Sequence, residues 1–287
     1  MKPIHPNGDQ ETKIHTYLSR RSLMKLLGLS TFGMGLWISG CDHSSADSAL
    51  KLEVKKEGKM ESTKSIATTQ KKLPSLDTAA PAETRTATFA LGWFWGPDSR
   101  FGSLDGVVRT RVGYSGGRKE NPTYHSIGDH SETIEIDFDP IRITYKTLLD
   151  IFWHEHDPTA RAWSSQYKSA IFYHDEIQQK LALETKAIEE HRRNKKIQTE
   201  ILPFDKFYLA EDYHQKYQLR QRRQLMTEFQ AMYSRNIDFV NSTAAARVNG
   251  YVGGHGEPEE ITANIENLGL STAGQKRLLE MSSNWKN

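Results

Sequence analysis

The 287-residue chain contains one cysteine, Cys41. A single thiol forms no disulfide within the chain and no dithiol redox pair. Charge of one sign is also lacking. Against 38 Lys and Arg stand 36 Asp and Glu, a formal net charge of +2. That is too near neutral to imply nucleic acid as a partner. Apolar residues are scarce at 37%, with a mean hydropathy of −0.66, so part of the chain is not expected to pack. The length suits one large or two small domains, and no internal repeat is present.

The apolar stretch from Leu26 to Ile38 is interrupted by Gly28, Gly33 and Gly35. It is shorter than the roughly 20 residues a spanning helix needs, and suits the apolar centre of a signal peptide. Ser19-Arg20-Arg21-Ser22-Leu23-Met24-Lys25 precedes it and resembles a twin-arginine export motif. Ile38-Ser39-Gly40-Cys41 follows and resembles a lipobox. The expectation is a signal peptide over 1–40, lipid on the Cys41 sulfur, and an exported protein anchored at the membrane of a bacterial envelope. An uncleaved N-terminal anchor is the alternative. Residues 41–85 are rich in Ser, Lys, Glu, Thr and Ala without an apolar period, and read as a flexible tether.

From Thr86 the pattern changes. Ala87-Thr88-Phe89-Ala90-Leu91 reads as a buried strand that turns at Gly92 and enters a helix near Pro97, a residue suited to a first helical position. Such a turn presents backbone N–H groups and the positive end of a helix dipole. Further strands are expected over Val107–Tyr114, Thr133–Phe138 with one buried face, Tyr167–Tyr173 and Gln198–Leu202. Helices are expected after the Thr144 cap, over His174–Arg193, and over Ala210–Met232. The charges at Arg220, Arg222 and Arg223 read as a solvated face. Residues 257–287 are expected to form a helical or loose tail. The mixed order of elements predicts an α+β sandwich over 86–256. His154 and His156 are two apart and share no helix face, so no metal site is expected there.

Several segments occur in one order: Gly92-Trp93-Phe94-Trp95-Gly96, Gly113-Tyr114-Ser115-Gly116-Gly117, Asn121-Pro122-Thr123-Tyr124, Gly128-Asp129-His130-Ser131-Glu132, His156-Asp157-Pro158-Thr159, Gln166-Tyr167-Lys168-Ser169-Ala170-Ile171 and Ala210-Glu211-Asp212-Tyr213-His214-Gln215. Together they resemble the A-type peptide-methionine (S)-sulfoxide reductases, from about Thr86 to about Tyr217 and more weakly to Gly256. The resemblance implies a two-layer ferredoxin-like sandwich with a mixed sheet and packed helices. It implies no cofactor, methionine sulfoxide in peptides or proteins as substrate, and, for an active member, a thiol reductant such as thioredoxin.

The same resemblance places the family's nucleophile, a cysteine or selenocysteine, at position 93. This chain has tryptophan there. Indole carries a donor N–H and no thiol, and no cysteine of the domain replaces it. By the family's pattern Glu132 donates a proton to the sulfoxide oxygen, Tyr124 and Tyr167 hydrogen-bond that oxygen, and Phe94 and Trp95 cup the substrate's methyl group. Read alone, Glu132 is an exposed carboxylate at a strand start and the tyrosines are core packing. Upstream of Gln166, where the family often has an acidic residue, stands Ala162-Trp163-Ser164-Ser165. Two outcomes stay open: a reductase whose residue 93 is Cys or selenocysteine in the cell, since UGA is read as tryptophan under some genetic codes, or an inactive protein that binds methionine sulfoxide or serves structurally.

Overall fold

The structure is a computed structural model that describes residues 72–283. The export motif, the Cys41 box and the tether as far as residue 71 lie outside the described residues. The elements run α1 (Ser75–Thr78), β1 (Arg85–Leu91), α2 (Trp95–Gly102), β2 (Val107–Ser115), β3 (Ser131–Phe138), α3 (Tyr145–His154), β4 (Ser169–Tyr173), α4 (Glu176–Arg193), β5 (Glu200–Pro203), β6 (Phe207–Leu209), α5 (Tyr217–Arg220), α6 (Arg223–Met232), α7 (Asn236–Val240), α8 (Thr243–Val252), α9 (Pro258–Asn264) and α10 (Thr272–Ser283).

The sheet order is β5-β4-β1-β3-β2-β6. Its centre, β4-β1-β3-β2, comes from a βαββαβ run with every pair antiparallel, which is the ferredoxin-like arrangement. β5 adds in parallel to β4 and makes the sheet mixed, while β6 closes the other edge against β2. The expected α+β sandwich is present. One face carries Phe89, Ile134, Ile136 and Phe138, packed on Leu148, Leu149 and Phe152 of α3 and Ala182 of α4. The α3 helix starts where the Thr144 side chain accepts the Thr147 N–H, as the sequence predicts.

The other face departs from expectation. A single buried face on β3 would leave Glu135 and Asp137, which alternate with Ile134, Ile136 and Phe138, on the solvent side, yet Asp137 is buried. Their charges are matched from the neighbouring strand. Arg111 donates to Glu135 Oε1 at 2.7 Å and Asp137 Oδ2 at 2.9 Å, and to Asn241 Oδ1 at 3.2 Å, just beyond α7. A pairing residue contributed by another strand is invisible in local alternation.

The C-terminal helices build a second core, from Leu219 through Phe229, Val248 and Tyr251 to Ile261, Leu268 and Leu278. The expected boundary at Gly256 therefore cuts through one core. This layer meets the first where α8 crosses α2. A Cβ on Gly102 would stand 2.6 Å from the Ala246 carbonyl oxygen, and one on Gly250 would stand 2.6 Å from Ser99 O. Residues 72–84, inside the expected tether, carry α1. Leu76 packs on the second core, and Asp77 Oδ1 accepts the Ala244 N–H at 2.9 Å in the first turn of α8.

Other boundaries shift as well. Residues 165–167 form a 3-10 turn, so β4 begins at Ser169 and Tyr167 precedes it. Residues 210–216 are not helical. They end at Lys216 in a left-handed conformation (φ 54°), and the expected long helix becomes α5 and α6. Arg220 does not belong to a solvated face: it donates to Gln215 O at 2.7 Å and Asn236 Oδ1 at 2.8 Å, over the Phe239 ring.

Candidate active site

Strand β1 leaves the sheet at Leu91, and the chain reverses at Gly92, whose φ of +94° suits glycine. Helix α2 then begins at Trp95, two residues earlier than expected. Pro97 is its third residue. Its missing N–H costs nothing there, since the Phe94 carbonyl takes its first helical bond from Asp98 at 2.9 Å. The turn sets residue 93 beside the helix N-terminus, buries Phe94, and leaves Trp93 65% exposed. Trp93 does not sink into the core. Its ring lies 6.3 Å from Trp95 and 6.3 Å from Tyr167.

Glu132 comes from β3, on the sheet face shared with Tyr114. It is buried. Oε2 accepts the Phe94 backbone N–H at 3.1 Å and Oε1 accepts Gln166 Nε2 at 2.8 Å. Burial pushes its pKa above the usual carboxylate range, against the pull of those two hydrogen bonds. The exposed carboxylate that a reading of the residue alone gives is not what the fold makes.

Tyr167 sits on the 3-10 turn, which Ser131 ties to β3 by donating to Ser165 O at 2.9 Å. Desolvation, and then a hydrogen bond with Tyr124, push the Tyr167 phenol up to about 12. Tyr124 comes from the loop after β2, where its backbone N–H donates to Glu211 Oε1 at 3.0 Å. The other Glu211 oxygen accepts the Tyr114 hydroxyl at 2.8 Å. The structure thus brings Trp93, Glu132, Tyr124, Tyr167, Phe94 and Trp95 to one place, from four separate stretches of chain.

The residues that hold this set in position carry no role that the sequence alone assigns. Gln166 orients Glu132, and Glu211 clamps the Tyr124 loop. His214, 1% exposed, packs at 5.0 Å from the Phe94 ring and 4.7 Å from Tyr124, and its Nδ1 accepts Trp95 Nε1–H at 3.1 Å. That bond requires an unprotonated Nδ1, and burial lowers the His214 pKa accordingly. Trp95 also stacks on Tyr217 at 3.9 Å. Gln215 acts as a strand substitute: its amide oxygen accepts Val112 N–H at 3.0 Å and its amide nitrogen donates to Val112 O at 2.7 Å. Gln166, Glu211, His214 and Gln215 stand inside the quoted motifs and Tyr217 two residues beyond the last of them, so the signal was present without a geometry to read it by.

His154 and His156 do not converge on a ligand site. His156 bridges the Phe152 carbonyl at 2.9 Å and Ser169 Oγ at 2.7 Å. A separate cavity of about 610 Å³ opens among Leu73, Asp77, Arg109, Tyr233 and Ser242 and shares no residue with the site.

The site can donate a proton or hydrogen bond from Glu132, offer two phenol hydroxyls, and cradle an apolar group. It holds no thiol. A family model described as peptide methionine sulfoxide reductase matches residues 85–248. The chain is 43% identical over 195 residues to a peptide methionine sulfoxide reductase of Drosophila melanogaster, covering 65% of this chain and 75% of that one. To the peptide methionine sulfoxide reductase MsrA of Methanosarcina acetivorans it is 47% identical over 142 residues, covering 46% and 76%. Among solved structures, methionine sulfoxide reductase A of Corynebacterium diphtheriae shares 32% identity with a TM-score of 0.45, over 50% of this chain and 77% of that chain. The chain belongs to the peptide methionine sulfoxide reductase family.

Proposed function

We propose that this site binds the S-sulfoxide of methionine and that, with tryptophan at 93, it does not reduce it. The observation that carries the reading is Glu132, a buried carboxyl with both oxygens anchored and its pKa raised, next to the turn that bears residue 93. In its protonated form it donates to the sulfoxide oxygen, and Tyr124 and Tyr167 donate to the same atom. Phe94 and Trp95 take the methyl group.

Reduction needs a soft nucleophile at the sulfur. A thiolate there takes the oxygen while Glu132 supplies the proton, leaving methionine and a sulfenic acid; one thiol condenses with that sulfenic acid to a disulfide and water, and a second thiol reduces the disulfide back to the free nucleophile. The start of α2 favours a thiolate at 93 through the helix dipole. Indole cannot perform the step. If the codon for residue 93 specifies cysteine or selenocysteine in the cell, the same site is a reductase and draws electrons from a thiol donor such as thioredoxin.

The binding test is calorimetric titration of the protein with N-acetylmethionine sulfoxide amide, each epimer separately. The S-epimer is expected to bind at least about tenfold tighter than the R-epimer, a difference of about 1.4 kcal/mol. The Tyr124→Phe, Tyr167→Phe double variant should remove most of that preference. Equal or undetectable binding of the two epimers would reject the reading.

The same proposal puts the protein outside the cytoplasm, lipid-anchored to a membrane, where it meets oxidised exported proteins. Arg20-Arg21 and the Ile38–Cys41 box support this. Cys41→Ala should release the protein from the membrane fraction; unchanged processing and retention would count against a lipid anchor.

A further inference from the structure

We infer that the rings around residue 93 form a cage for a methylated onium group, a sulfonium or quaternary ammonium carried on a peptide side chain. The cage shares its location with the sulfoxide pocket but not its chemistry.

Aromatic rings attract a cation through their faces when it sits within about 6 Å of the centroid, and indole does so best. Trp93 and Trp95 lie at an interplanar angle of 71°, Trp93 and Tyr167 at 50°, and Trp163 and Tyr167 at 46° with centroids 4.9 Å apart. None of these pairs stacks. They differ in this from Trp95 and Tyr217, whose rings lie parallel at 8° and 3.9 Å. Trp93 at 65% and Trp163 at 81% exposure hold large apolar surfaces in water, which burial against a ligand would relieve.

Glu132 supplies the charge at the base of the cage. The groups acting on it are its burial and the two neutral donors, Gln166 and Phe94 N–H. No Lys or Arg among the described residues bonds to it, so its ionised form lacks a counter-ion. Each anchored oxygen keeps a further lone pair directed elsewhere. A methylated onium suits this environment better than a bare ammonium. It carries full charge but donates no strong hydrogen bond, so leaving water for a ring-lined space costs it less. Replacing the sulfoxide oxygen of the family's substrate by a methyl gives a sulfonium of nearly the same shape and opposite polarity. Sulfoxide needs Glu132 as a proton donor, whereas the onium needs it ionised.

The test titrates the full-length protein with three probes: N-acetyl-S-methylmethionine amide, N-acetyl-trimethyllysine amide, and the neutral N-acetylmethionine amide. At least one onium probe is expected to bind about tenfold or more tighter than the thioether. Trp93→Phe should keep that preference and Trp93→Ala should lose it. Glu132→Gln should lower onium affinity by about tenfold. Trp93 lies on the surface, so its replacement leaves the core intact, which a thermal melt checks. Onium probes no tighter than the thioether, or an unaltered preference in Trp93→Ala, would overturn the cage. That result is independent of the sulfoxide epimer titration, so either reading can fail alone.

Discussion

Lys216 and Asp98 form an ion pair with no solvent exposure, Nζ to Oδ1 3.2 Å. The pair joins the turn before α5 to the first turn of α2, the helix that begins at the candidate site. The carboxylate also accepts the Thr110 hydroxyl at 2.5 Å, the Lys216 backbone N–H at 2.9 Å and Asn249 Nδ2 at 3.2 Å, and the ammonium donates to the Thr110 carbonyl. A buried charge stripped of its partner is costly, typically about 3–5 kcal/mol, whereas removing both together costs far less. Lys216→Met is therefore expected to destabilise by about 3 kcal/mol or more in urea unfolding. Lys216→Met with Asp98→Asn should recover at least half of that. A loss below about 1 kcal/mol for the single variant would contradict the network.

Stability should fall on mild acidification through His156. Its Nδ1 faces the Phe152 carbonyl and so carries the hydrogen, while Nε2 accepts from the Ser169 hydroxyl. Both sites are satisfied by the neutral ring. Desolvation depresses its pKa from 6.5 to about 4. A depressed folded-state value means stability that is present above pH 6.5 and is lost as pH falls towards 4. His255, also lowered to about 4, adds to the same slope. Melting temperature followed from pH 7.5 to 4.5 should drop, and His156→Gln should flatten part of the drop. An unchanged slope in that variant would count against the assignment.

Glu132 carries the opposite sign. Its folded pKa is raised, so the neutral acid is favoured by folding, and ionisation opposes folding as pH rises through the folded value. Glu132→Gln keeps the shape without the charge. It is expected to raise the melting temperature at pH 8 and to change it little at pH 4, where both forms are neutral in the folded protein. A variant less stable than the parent at pH 8 would show that the ionised carboxylate contributes to folding.

Local sequence carried the first layer of the fold. The strands β1 and β3, the Gly92 reversal and the Thr144 cap are each properties of a few adjacent residues, and each appears where expected, although β3 buries both faces and not one. Partners contributed from far along the chain were not legible. Arg111 neutralises Asp137 from the adjacent strand, and Lys216 looks like any surface lysine until Asp98 is brought to it. The non-helical 210–216 segment ends in a left-handed lysine, a conformation nothing in the residue type announces. At the site, the motifs named the six residues that converge. They could not say that Trp93 would remain on the surface, because that depends on Phe94 taking the buried place beside Tyr114 and His214.

On the proposed function the pocket lacks only its nucleophile, and this is tested most directly by measuring reduction of dabsylated methionine S-sulfoxide with dithiothreitol by the Trp93 protein and by Trp93→Cys. The Trp93 protein should show no turnover above the thiol background. Trp93→Cys should exceed that background by at least about tenfold, or about 1.4 kcal/mol of transition-state stabilisation, with the R-sulfoxide untouched. Turnover by the Trp93 protein, or none by a folded Trp93→Cys protein, would contradict the proposed function.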